Sequence, residues 1–169
     1  MPKCPIWPSK PPRGDILCET SALCHPLVSP VASTTWKGLP PFFLAYGEEC
    51  LGEEGKFAAQ RAHDDGVVVE FHYYQRLIHC FPMFYPDVPQ SQHLLKELVR
   101  FCKACVHSPN SLKRRNVTYS AETTPVKGEE VPAPFFDMKV LDFEGMKNRM
   151  RKKQAERPVW TGPKRLENL

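Results

Sequence analysis

The apolar positions fall into four blocks separated by turn residues. Pro40-Pro41 leads into Phe42-Phe43-Leu44-Ala45-Tyr46, which is apolar on both faces, as a buried parallel strand must be. Residues 53–64 follow with Phe57, Ala58, Arg61 and Ala62 at roughly helical spacing, and Gly66 stands where a helix stops. Val67 to Tyr74 is a β-branched and aromatic run, which predicts a strand. From Ser91 to Cys105, Leu94, Leu95, Leu98, Val99, Phe101, Cys102 and Cys105 make one apolar helix face. The order strand, helix, strand, loop, helix predicts an α/β fold with a right-handed βαβ unit and a packing helix. Such a unit wants more parallel strands beside it, and the rest of the chain has no obvious sequence to supply them.

The remaining blocks read differently. Residues 1–24 are Pro-rich and irregular, and Cys24 to Ser33 is a loop anchored by Leu27, Val28 and Val31. Residues 107–135 read as a polar linker. Residues 139–155 suit an amphipathic helix with Val140, Phe143, Met146 and Met150 on one side, weakened by Gly145. The pattern therefore predicts one partial α/β domain over residues 1–106. A polar linker and a basic, partly disordered C-terminal extension follow over 107–169.

Charge adds one point. The net +4 is concentrated in residues 147–165, which hold eight Lys or Arg and one acid. The basic charge belongs to the tail, and no stacking aromatics accompany it, so nucleic acid is not an expected partner. The cluster from Arg149 to Lys153 is read as a solvated helix or tail rather than a membrane-surface element. No run of 18 apolar residues exists, so stable membrane insertion is not expected. The start carries no apolar stretch resembling a signal peptide. Seven scattered cysteines then fit reduced thiols and a cytoplasmic setting, with the sequon at Asn116 incidental.

Candidate chemistry sits between Gly38 and Phe81. Glu49 follows the first strand and His79 follows the second. Acid then histidine, each after a strand, is the chain order of the last two members of the catalytic triad in α/β-hydrolases. Glu48, Glu53 and Glu54 are lesser candidates, since acids favour a helix N-terminus by its dipole. Cys102-Lys103-Ala104-Cys105 could be a redox pair or half a zinc site. However, no second ligand pair has suitable spacing, and core packing is the reading preferred. His25, next to Pro26, reads as a loop hydrogen-bonder rather than a catalytic group, and His63, His72, His93 and His107 have no nameable partner in the sequence. Ser21, Ser29 and Ser33 lie near the acid but in no strand–turn–helix elbow.

Four pieces in order carry a resemblance. They are Cys24-His25-Pro26-Leu27-Val28-Ser29-Pro30, Trp36-Lys37-Gly38-Leu39-Pro40-Pro41, Gly47-Glu48-Glu49-Cys50-Leu51-Gly52-Glu53-Glu54-Gly55 and His79-Cys80-Phe81. With these, residues 13–106 resemble the C-terminal half of fungal α/β-hydrolases of the hormone-sensitive-lipase-like branch, the fold-3 esterases and acetyl-hydrolases. The tail from Arg157 to Lys164 is similar to the tails of those proteins. The family's acid sits in a pattern like Asp-Pro-Leu-Arg-Asp-Glu-Gly, which implies Glu49 as the catalytic acid. His79 matches the histidine of the family's His-Gly-Phe, with Cys80 in place of glycine. The resemblance implies a carboxylic-ester hydrolase acting on small, short-chain esters, with no metal or organic cofactor.

Two parts of such a site are missing. No two of the nine glycines lie four apart, so Gly-x-Ser-x-Gly is absent. None of the six histidines precedes a glycine, so a His-Gly-Gly oxyanion motif is absent as well. The expectation is a chain lacking its N-terminal half, inactive alone and poorly folded with its sheet faces and edge open. The alternatives are a non-catalytic binding or regulatory partner, perhaps completed by another hydrolase chain, or a pseudogene product.

Overall fold

The computed structural model describes residues 18, 22–122, 124–132, 134–140 and 142–156. The Pro-rich start, Ser21 and the tail from Arg157 lie outside them. The chain divides into two compact units, residues 35–140 and residues 1–34 with 141–169.

The unit of residues 35–140 is a sheet with helices in the expected order: β1 (Phe42–Gly47), α1 (Gly52–Asp64), β2 (Val69–Tyr74), α2 (Phe81–Phe84) and α3 (Pro89–His107). Two further strands follow, β3 (Arg115–Tyr119) and β4 (Gly128–Glu130). The fold class is α/β. The sheet order is β1-β2-β3-β4, with β2 parallel to both β1 and β3, and β4 antiparallel to β3.

Residues 107–135 thus carry two strands where a linker was expected. β3 hydrogen bonds along β2 on the side away from β1, in the register Phe71–Asn116 and Tyr73–Thr118. Its side chains alternate as a strand's must, but both sets are partly polar, and this hid the strand in the sequence. The consequence for β1 is equally direct. Among the described residues it is an edge strand, and Phe42 to Tyr46 are half-buried rather than enclosed on both sides.

Residues two apart on a strand share a sheet face. On one face, Leu44, Tyr46, Val69 and Phe71 meet α1 and the segment around Phe135. Tyr46 stacks on Phe71 at 5.7 Å between ring centroids, and Phe71 lies 6.0 Å from Phe135. Gly55 lets α1 approach this closely, because a Cβ there would stand 2.4 Å from the Tyr46 ring. Gln60 ties the layer together, its Oε1 accepting the Phe135 N–H at 2.8 Å.

The other face carries Phe43, Glu70, His72, Tyr74, Arg115 and Tyr119 against α3. Here the predicted helix face needs correction. α3 turns Gln90, Ser91 and Phe101 into the protein and leaves Leu95, Leu98 and Val99 exposed. Cys102 is exposed and Cys105 half-buried, both as free thiols, so neither is core. The physical reason is electrostatic. Arg100 on α3 pairs with the buried Glu70 of β2 and Glu97 with the half-buried Arg115 of β3, and those pairs fix the rotation of the helix.

In the other unit, α4 (Phe143–Ala155) forms over most of the span predicted for it. Gly145 assists it rather than weakening it. Its N–H donates to the Asp142 carboxylate at 2.9 Å, a cap on the first turn, and a Cβ at 145 would strike that carboxylate. The side chains of Val140, Phe143 and Met146 lie outside the described residues. Among the described residues, no helix is long and apolar enough to cross a membrane.

Candidate active site

Glu49 and His79 meet at one end of the sheet. β1 and β2 are parallel, so their C-terminal ends lie side by side, and each residue sits in the loop just beyond its strand. The His79 Nδ1 is hydrogen bonded to the Glu49 Oε2. The Glu49 side chain is 9% exposed, while the His79 side chain is 62% exposed. A carboxylate accepts only from a protonated ring nitrogen, so the pair selects the Nδ1–H tautomer and leaves the Nε2 lone pair free.

The backbone explains the approach. The loop from Gln75 to Cys80 folds back over the end of β1, where the Glu48 N–H donates to the Leu77 carbonyl at 2.7 Å. Glu48 returns the bond, its carboxylate accepting the Arg76 N–H at 2.8 Å. Gly47 permits this closeness. A Cβ there would stand 2.2 Å from the Leu77 oxygen and 2.8 Å from that of Ile78. Glu48 is therefore a loop clamp, and the Arg76 guanidinium pairs in turn with Glu122.

Two residues of the loop adopt left-handed backbone, Arg76 at φ 58° and Cys80 at φ 53°. Glycine favours that region, and other residues enter it at a cost of about 1 kcal/mol. Cys80 is the position at which the resembled pattern has glycine, so the substitution carries backbone strain. Phe81 holds the far end of the loop. It is 2% exposed, with its ring 5.2 Å from that of Tyr74.

A second titratable cluster lies under α3, and its composition gave no sign of it in the sequence. Glu70, 1% exposed, pairs with Arg100 and lies 3.8 Å from Arg115. Glu97 takes Arg100 Nε and Arg115 Nη1 at 3.0 Å each. Burial alone would raise both carboxyl pKa values. For Glu70, the nearby His72 ring, 3.6 Å away, the hydrogen bond from Arg100 and the charges of Arg100 and Arg115 outweigh burial and hold it below the ordinary value. For Glu97, the two arginines do the same. Tyr119 donates to or accepts from His72 Nδ1 at 3.0 Å, and Tyr74 pairs likewise with His93 Nδ1. Burial pushes Tyr119 up to about 12 and depresses His93.

Glu70, His72 and Glu97 could together hold a cation, since their ligand atoms lie within 4.8 Å of one another. Two guanidiniums already balance the two carboxylates there. A divalent ion would add unbalanced positive charge to a buried site, so the arrangement is that of an ion-pair network. His63 sits edge-on to Phe135 on the other face, and His25 Nδ1 accepts the Leu27 N–H, a local loop bond. A cavity of about 250 Å³ opens on the α1 face, lined by Lys56, Phe71, Tyr73, Asn116 and Phe135 among others, and neither Glu49 nor His79 lines it.

Against known proteins, residues 14–83 match the family model of the alpha/beta hydrolase fold. No curated protein and no solved structure matches the chain. The matched segment contains both strands of the site, Glu49 and His79, and ends before α3. The likeness is thus to the α/β-hydrolase fold over that segment, which holds the pair.

Proposed function

We propose that Glu49 and His79 are the acid–base half of a carboxylic-ester hydrolase site for small, short-chain esters. The observation that carries this reading is the contact between the Glu49 carboxylate and His79 Nδ1, at the ends of consecutive parallel strands inside the matched segment. In such a site the carboxylate fixes the imidazole tautomer. Nε2 takes the proton of an attacking serine and later returns it to the leaving alcohol. Backbone N–H groups stabilise the oxyanion between those steps.

The sequence contains no Gly-x-Ser-x-Gly elbow and no His-Gly-Gly motif. On this reading the chain holds the proton-transfer half, and turnover requires a second hydrolase chain that brings the serine and the oxyanion donors to Nε2. The test is hydrolysis of p-nitrophenyl acetate by the purified chain beside His79→Ala. The reading predicts equal rates for the two proteins. A steady rate that His79→Ala abolishes would reveal a nucleophile within the chain and overturn the half-site account.

A further inference from the structure

The cavity on the α1 face stands apart from the Glu49–His79 pair, neither of which lines it. Its floor is built from two hydrogen-bonded strands. β2 contributes Phe71 and Tyr73, and β3 contributes their register partners Asn116 and Thr118. Lys56 of α1 and Phe135, in the segment after β4, complete the lining over that floor. No residue of β1 takes part, so the cavity is formed by elements of the unit itself and not by its open strand edge.

The lining joins ring surface to a few polar groups, the pattern of a small-molecule site. Phe71, Tyr73 and Phe135 supply three aromatic rings. Asn116 is 9% exposed, and among the described residues its carboxamide and the Thr118 hydroxyl hold no hydrogen bond. Buried polar groups are ordinarily paired, so these two are open to a ligand. The charge at the cavity is positive. The Lys56 ammonium stands 5.3 Å from the centre of the Tyr73 ring, and its partner Glu53 is 69% exposed. A pair with so exposed a carboxylate is weak and exchanges readily. The Arg114 guanidinium lies 4.3 Å from the centre of the Phe135 ring, with Nε and Nη2 buried and without an acceptor. No acid lines the cavity, and Glu129, opposite Thr118 on β4, is exposed.

We infer that this cavity binds a small aromatic carboxylate, its ring among Phe71, Tyr73 and Phe135 and its carboxylate toward Lys56. Size agrees with this ligand. A cavity of about 150 Å³ admits benzene. This one measures about 250 Å³, room for a single ring and a carboxylate. Charge agrees as well. One ammonium lines the cavity and matches one negative charge, and the nearby Arg114 strengthens the field in which that charge sits. The Asn116 amide and the Thr118 hydroxyl are donors that a carboxylate can take up. A ring is favoured over an aliphatic chain because aromatic walls meet it edge-on or offset, adding to simple burial. The inference does not rest on the proposed activity.

The experiment is titration of the ¹⁵N-labelled full chain, followed by NMR, with three probes. Benzoate has the ring and the charge, benzamide the ring alone, and acetate the charge alone. Benzoate should shift the signals of Asn116 and Thr118 and saturate. Benzamide and acetate should each bind at least tenfold more weakly. Lys56→Gln, at a half-buried position on α1, should leave circular dichroism unchanged and reduce benzoate to the affinity of benzamide. The comparison of the three probes on the wild type stands without the variant. No saturable shift with benzoate, shifts centred away from Asn116 and Thr118, equal binding of benzamide or acetate, or a preference for benzoate that survives Lys56→Gln would each overturn the inference.

Discussion

From one strand, β2, Val69 and Phe71 point to one face of the sheet and Glu70, His72 and Tyr74 to the other. Phe71 meets Phe135, Val69 is fully buried, and α1 buries Ala59 and Ala62, so that layer closes by apolar contact. Glu70, His72 and Tyr74 meet Arg100, Arg115, Tyr119 and His93, and that layer closes by ion pairs and hydrogen bonds. Both sets are equally buried. Burial is therefore no guide to which kind of interaction holds a layer. The charged layer alone depends on the protonation of its members.

Substitutions should separate the two layers. Phe71→Ala, at a residue 1% exposed, should cost about 4 kcal/mol of stability through lost transfer energy and the cavity left behind. Urea unfolding would show it, and the acid limb of the stability curve should keep its wild-type slope. Glu70→Ala should cost less, about 2 kcal/mol, because Arg100 and Arg115 lose their buried partner but both keep Glu97 and are partly exposed.

The pH dependence of the charged layer has a definite sign. Glu70 and Glu97 titrate lower in the folded protein than the reference value of 4.5. The stability they contribute is complete above that value and is lost as pH falls through their folded pKa values. His93 is depressed below its reference of 6.5, so its contribution likewise fades as pH falls below 6.5 toward the folded value. Glu97→Gln should flatten the lower part of this profile, which unfolding midpoints measured from pH 7 to pH 3 would reveal.

Smaller effects concern the loop that carries His79. Gly47→Ala should cost about 2 kcal/mol, since the added methyl meets the Leu77 and Ile78 carbonyls and the loop must shift. It should also separate Glu49 from His79. Cys80→Gly should have the opposite sign and the smallest size. Relief of left-handed backbone at φ 53° should stabilise the fold by about 1 kcal/mol, read as a raised melting temperature.

Much of the architecture was legible. β1, α1, β2 and α3 follow from the spacing of apolar residues and from Gly66, within a few residues at each end. The buried face of α3 was not, because a count of apolar residues selects Leu95, Leu98 and Val99 and passes over Glu97 and Arg100. Those two gain their place only from Glu70 and Arg115, which are distant in sequence. β3 escaped notice for a related reason, since Asn116 and Thr118 alternate with Val117 and Tyr119, and its partner β2 lies some forty residues earlier. At the candidate site, chain order pointed to Glu49 and His79, and the structure brings them into contact. The clamp by Glu48 and the clearance at Gly47 depend on a loop folding back over β1, which no local pattern announces.

The central claim is that the strand ends hold the Glu49 carboxylate on His79 and so fix its tautomer. Nitrogen-detected NMR of the His79 ring, in the wild type and in Glu49→Ala, tests it most directly. The account predicts a protonated, hydrogen-bonded Nδ1 and a bare Nε2 in the wild type, with both tautomers mixed in Glu49→Ala. An imidazole spectrum indifferent to the loss of Glu49 would contradict it.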